Sequence, residues 1–196
     1  MDGILRTRVG YSGGETLYPT YGSMGDHSES IQIDYDPARI SYEKLLEIFW
    51  QNHDPTHRAW RRQYMSAIFY HDEEQKRLAL DTMAREEKRR TKKIQTAILP
   101  YGKFYLAEDY HQKYQLRQHR ELMAEFKSMY PRPIDFINST AAARVNGYVS
   151  GHGTPDGVKA NLENLGLSDA GSKLLLEIAT KWRAIPETET LYSPEV

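Results

Sequence analysis

Ser28-Glu29-Ser30-Ile31-Gln32-Ile33-Asp34-Tyr35 alternates without a break, and Asp36-Pro37 follows it directly. Period-two alternation marks a strand: Glu29, Ile31, Ile33 and Tyr35 share one face, and Ser28, Ser30, Gln32 and Asp34 the other. Upstream, Ile4 to Tyr11 is also strand-like, and Gly10, Gly13 and Gly14 suit tight turns after it. Downstream, Ser41 is placed to cap a helix reaching about Asn52, whose apolar side is Leu45, Leu46, Ile48, Phe49 and Trp50. His53-Asp54-Pro55 breaks it. Met65 to Tyr70 reads as a further strand, and Asp72 with Gln75 forms a capping-box pattern opening a charged helix to about Arg90. Ile94 to Leu99 is a short apolar strand stopped by Pro100, and Asp109 to Met129 reads as helical.

Pro131-Arg132-Pro133 marks a boundary, beyond which residues 139–180 read as short helices separated by turns at Gly147, Gly151, Gly153 and Gly166. Strands interleaved with helices, and no glycine-rich nucleotide loop, predict an α+β fold: a two-layer sandwich with a mixed sheet, followed by a C-terminal helical extension. The expected division is a domain over residues 1–130, the helical extension over 131–182 and a flexible tail over 183–196.

The chain has 196 residues, a formal net charge of -1, 14 tyrosines and no cysteine, which suits one compact domain with an appendage. Near-neutral charge argues against nucleic acid as a main partner, and the run Lys88-Arg89-Arg90-Thr91-Lys92-Lys93 reads as a solvated helix end. No apolar run is long enough to span a bilayer, and no signal-peptide pattern is present. A cytoplasmic monomer is the expectation, with mitochondrion or nucleus as alternative addresses. The absence of cysteine excludes disulfides, zinc–thiolate sites and a nucleophilic thiol.

Among residues able to do chemistry, Glu29 heads the face that carries Ile31 and Ile33. A carboxylate at the rim of an apolar core is desolvated and suited to general-acid work; the competing reading is a strand-edge glutamate in water. Tyr21 and Tyr64 are phenols that can donate a hydrogen bond to a substrate oxygen, or amphipathic packing residues. Glu108 and His111, three apart at a helix start, form an acid–base pair or a capping arrangement. His53 and His57 are four apart, but Pro55 between them prevents helical presentation, and no metal site is expected.

Several separated runs carry a resemblance. They are Val9-Gly10-Tyr11-Ser12-Gly13-Gly14, Pro19-Thr20-Tyr21, His27-Ser28-Glu29, Ile33-Asp34-Tyr35-Asp36-Pro37, Phe49-Trp50, Gln63-Tyr64, Phe69-Tyr70-His71 and Ala107-Glu108-Asp109-Tyr110-His111-Gln112. Together they resemble the A-type peptide methionine sulfoxide reductases over about Ile4 to Tyr114. The surroundings of Asn146-Gly147-Tyr148 are similar to the C-terminal extension of an insect-type branch. The resemblance implies thiol-dependent reduction of methionine-S-sulfoxide, free or in proteins, to methionine. It implies no bound cofactor, with thioredoxin as reductant. It also implies Glu29 as the acid that protonates the sulfoxide oxygen, Tyr21 and Tyr64 as its hydrogen-bond donors, and Glu108 and His111 as pocket support.

The departures from the family pattern are as specific as the matches. The family's Gly-Cys-Phe-Trp-Gly nucleophile motif belongs before the region matching Ile4, where this chain has Met1-Asp2-Gly3; an N-terminally incomplete chain, from splicing or start-site assignment, is expected. An aspartate usual shortly before the position of Tyr64 is replaced by His57-Arg58-Ala59-Trp60-Arg61-Arg62. Two further readings follow: a non-catalytic sulfoxide-binding or regulatory pseudoenzyme, and a fragment with open sheet edges.

Overall fold

In a computed structural model, which describes residues 2–183, the chain divides into two compact units, Asp2–Glu108 and the chain from Asp109 onward. The boundary thus precedes Pro131, because the helix Arg120–Met129 contributes Leu122, Met123 and Phe126 to the same buried cluster as Phe136, Val145 and Leu175. The tail read at 183–196 lies, after Arg183, outside the described residues.

In the first unit, β1 (Ile4–Ser12) pairs antiparallel with β2 (Ser28–Tyr35). The polar face of the pair is laced across strands: Arg8 donates to Gln32 at 3.0 Å and to both oxygens of Asp34 at 2.8 and 3.0 Å, and Arg6 also donates to Asp34. Helix α1 (Tyr42–Gln51) begins at Ser41, whose hydroxyl accepts from the Lys44 N–H at 3.1 Å. Next come β3 (Ala67–Tyr70), α2 (Glu73–Arg89) and β4 (Ala97–Pro100), with β3 and β4 parallel. Asp72 caps α2 by accepting from the Gln75 N–H at 2.8 Å, while the Gln75 side chain accepts from the His71 N–H at 3.0 Å, one residue outside a standard capping box. Leu46, Trp50, Ile68, Ala79 and Ile94 are buried together as the core of this half.

Strand β5 (Phe104–Leu106) adds to the other edge of β1, giving the order β2-β1-β5. The fold is therefore α+β, with antiparallel and parallel pairings divided between two small sheets. Gly10 lies inside β1 rather than in a turn, and its missing side chain is what lets β5 close. A Cβ there would sit 2.2 Å from the Tyr105 carbonyl oxygen and 2.4 Å from the Phe104 ring.

In the second unit the segment read as one helix from Asp109 to Met129 is three pieces: a 3-10 turn Asp109–His111, α3 (Tyr114–Arg117) and α4 (Arg120–Met129). Lys113 breaks it with a left-handed backbone (φ 53°), and its ammonium donates to the Ile137 carbonyl at 3.0 Å. Among the described residues four more α-helices follow, α5 (Pro133–Asn138), α6 (Thr140–Val149), α7 (Pro155–Lys159) and α8 (Asp169–Arg183), with a 3-10 turn, Leu162–Asn164, before the last. Gly147 lies within α6, whereas Gly151, at φ 84°, supplies the turn after it. Among the described residues no helix is long and apolar enough to cross a membrane.

Replacing Gly10 by alanine forces β5 away from β1 and is expected to cost about 1–3 kcal/mol, the usual price of overpacking. Urea denaturation of Gly10→Ala against the unsubstituted protein measures it; an unchanged midpoint would contradict the close packing of β5.

Candidate functional site

The first unit contains an open cleft of about 340 Å³ between the edge strand β2 and the β3 side of the second sheet. Ile33 and Tyr35 of β2, Leu45 and Phe49 of α1, and Phe69 of β3 form its apolar walls. Glu29 lines it as well, with Ser28, Met65 and Ser66. Tyr42, at the start of α1, is part of the wall. Burial pushes its phenol up to about 12, and the nearby charges of Tyr35 and Asp72 act in the same direction.

Glu29 occupies this cleft but not the rim of a packed core. It is exposed, and Ile31 on the same strand face is 59% exposed. Its position is instead fixed by Gln63, whose amide donates to Glu29 Oε1 at 2.7 Å. Gln63 sits in a 3-10 turn, Arg62–Tyr64, that β2 and the glycine loop hold in place. The Ser28 hydroxyl donates to the Arg62 carbonyl at 2.7 Å, and the Arg62 guanidinium donates to the Asp26 and Gly13 carbonyls at 2.6 and 2.8 Å. Tyr64 follows Gln63 with its ring 39% exposed, stacked at a tilt on Trp60 at 5.6 Å. The structure thus brings Glu29 together with the turn that carries Tyr64.

Tyr21 is placed by a different carboxylate. Glu108 accepts from the Tyr21 N–H at 3.0 Å through one oxygen and from the Tyr11 hydroxyl at 2.5 Å through the other. Tyr11 is 2% exposed, so its hydroxyl needs that partner. The loop before Glu29 has its own polar frame. Fully buried His27 accepts from the Gly14 N–H at Nδ1 (3.2 Å), so Nε2 carries the proton and donates to the Thr16 carbonyl at 2.8 Å. Asp26 accepts from the Glu15 N–H and from the Thr16 N–H and hydroxyl, and these bonds hold its carboxyl well below the usual carboxylate range.

Glu108 and His111 do not share a helical face. Glu108 precedes the 3-10 turn and ends the first unit, while His111 is the last residue of that turn in the second, its ring against Tyr110 at 4.1 Å. The support role is divided accordingly: Glu108 is a loop anchor in the first unit. His53 is also structural, its Nδ1 at 2.7 Å from the Phe49 carbonyl and its Nε2 at 2.9 Å from the Ser66 hydroxyl. Among the described residues no three His, Asp or Glu side chains converge as metal ligands. Sequence reasoning missed Gln63, Arg62 and Asp26 as parts of the site, although Gln63-Tyr64 and the run ending in Glu29 pointed to their neighbourhoods.

The family model described as peptide methionine sulfoxide reductase matches residues 1–139. The chain belongs to this family, in its A type. Among similar proteins, the peptide methionine sulfoxide reductase of Drosophila melanogaster is 44% identical over 168 residues, covering 85% of this chain and 67% of that protein. The A5 protein of Arabidopsis thaliana is 37% identical over 156 residues, 76% of this chain and 61% of its own length. Mxr1 of Saccharomyces cerevisiae in its reduced form superposes with a TM-score of 0.56 at 30% identity, over 61% of this chain and 74% of that one. Methionine sulfoxide reductase A of Corynebacterium diphtheriae gives 0.51 at 28% identity, over 60% and 65%. The frame of carboxylates and phenols described above stands in a chain with no cysteine.

A phenol kept neutral by burial links the cleft to pH. The folded state of Tyr42 binds its proton more tightly than an unfolded chain, with its ordinary value of 10.0; this contribution to stability is present below about pH 10 and is lost as pH rises through about 12. Following phenolate absorbance during alkaline titration, Tyr42→Phe is expected to remove a late step near pH 12. Loss from the main tyrosine transition instead would mean that the wall of the cleft is wet.

Proposed function

We propose that this chain supplies the substrate-recognition side of methionine-S-sulfoxide reduction, acting on the free amino acid or on oxidised proteins, and that by itself it does not complete the reduction. The observation that carries the reading is the Gln63–Glu29 hydrogen bond at 2.7 Å, which ties Glu29, a residue lining the apolar-walled cleft, to the turn that carries Tyr64. A sulfoxide side chain has an apolar methylthio part and one strongly accepting oxygen, and the cleft offers a partner for each. A substrate seated there would exclude water from Glu29, and desolvation favours the protonated acid that can donate to the sulfoxide oxygen. Tyr64 and Tyr21 are the proposed hydrogen-bonding phenols.

The net reaction consumes two thiols and the sulfoxide and yields a thioether, a disulfide and water. Its first step needs a thiolate to attack sulfur, and the sulfenic acid formed must then exchange with a second thiol. Serine and tyrosine hydroxyls can do neither, and this chain contains 0 cysteines. Its own role therefore stops at binding. That same count favours a second reading, a sulfoxide-binding or regulatory protein without catalysis. Thioredoxin as reductant, a monomeric state and a cytoplasmic address belong to the proposal on family grounds.

The purified chain, incubated with a methionine-S-sulfoxide peptide and either dithiothreitol or a thioredoxin system, is expected to form no methionine above the protein-free control. Mass spectrometry of the peptide reads the result. Turnover that survives repeated purification would overturn the reading.

A further inference from the structure

We infer that residues 57–61, which precede the turn carrying Gln63 and Tyr64, form a docking site for an acidic polypeptide segment, a role that goes beyond the sulfoxide reading. A second pocket, of about 280 Å³, opens behind this loop and is lined by His57, Arg58, Arg61, Arg62, Ser66 and Gln95. The Gln95 N–H donates to the Pro55 carbonyl at 2.7 Å, which binds the Lys92-Lys93 segment to the same side of the unit. Among the described residues Arg58, Arg61, Arg62, Lys92 and Lys93 have no carboxylate within ion-pair distance. Elsewhere the protein pairs its arginines freely: Arg77 with Glu74 and Asp81, Arg132 with Asp135. The nearest acid along this loop, Asp54, is already engaged by the Thr56 N–H and hydroxyl at 2.9 and 2.8 Å.

The same loop carries an aromatic anchor. Trp60 is 71% exposed, whereas Trp50 is 2% exposed in the core. The Arg61 guanidinium lies 4.4 Å from the Trp60 ring centroid, and Tyr64 supports the ring on the same loop at 5.6 Å. Trp, Tyr and Arg are the residues most often found to carry binding energy at protein interfaces, and a tryptophan held in place by neighbours loses little entropy on being covered. The Arg58 and Arg61 guanidinium groups line the pocket and can take a carboxylate two-pronged, whereas Arg62 is already committed to the Asp26 and Gly13 carbonyls.

Charge complementarity therefore points to a partner segment with two or more Asp or Glu side chains and an apolar residue to cover Trp60. A nucleic acid fits less well. It needs a groove that tracks a backbone and an extended basic field, whereas the whole chain carries a net charge of -1 and this charge surrounds a small pocket.

The test uses fluorescence anisotropy of a labelled peptide of alternating glutamate and leucine with the full chain at low salt. A lysine–leucine peptide and a single-stranded oligonucleotide serve as comparators. The acidic peptide is expected to bind, with affinity falling as salt rises, and neither comparator should bind as tightly. Trp60→Ala and the pair Arg58→Gln with Arg61→Gln should each weaken binding by about tenfold or more. Arg77→Gln, on the exposed side of α2, should leave it unchanged, and circular dichroism confirms that each variant is folded. Absence of binding, equal binding by the loop variants, or tighter binding of the oligonucleotide would overturn the proposal.

Discussion

One carboxylate, Glu108, holds two parts of the site to one frame. Its oxygens take the hydroxyl of buried Tyr11, in the middle strand of the antiparallel sheet, and the backbone N–H of Tyr21, in the loop between β1 and β2. A buried phenol without such a partner would cost about 1–3 kcal/mol, so the bond is required by the core before it serves any function. The bond at the other oxygen fixes the loop. Tyr11, Met24 and Ala107 then pack around it, with Tyr21 and Tyr105 at the edge. A second clamp does the same for the other half of the site: Arg62 ties its turn to the Gly13 and Asp26 carbonyls and delivers Gln63 to Glu29.

Much of this was legible in the sequence where local chemistry decides structure. The alternation from Ser28 to Tyr35, the cap at Ser41 and the cap at Asp72 each specify their element within a few residues of their true bounds. The face of β2 was legible, but not what covers it. Period-two patterning groups Glu29 with Ile31 and Ile33, yet only packing decides that Ile31 is left 59% exposed. Strand β5 spans three residues and is formed by pairing with β1, a long-range event with no local signature. The break at Lys113 and the ending of the first unit at Glu108 are tertiary facts of the same kind, and they separated Glu108 from His111.

In a member of the peptide methionine sulfoxide reductase family, clamps of this kind place hydrogen-bonding groups but supply no reducing sulfur. A hydrogen-bonding frame can orient a sulfoxide and donate a proton, but reduction moves two electrons, and neither a carboxylate nor a phenol here can supply them. The recognition and redox parts of the chemistry are physically separable, and the proposed role of this chain is the first. Its basic, tryptophan-bearing loop adds a surface that the chemistry does not call for.

The most direct test of that separation is a backbone-amide NMR titration of the chain with a methionine-S-sulfoxide peptide, run beside the same peptide carrying unoxidised methionine. The account predicts that Gln63, Tyr64 and Tyr21 shift with the sulfoxide and stay in place with methionine. If those amides stay still with both peptides, or move equally with both, no recognition of the sulfoxide oxygen survives and the account fails.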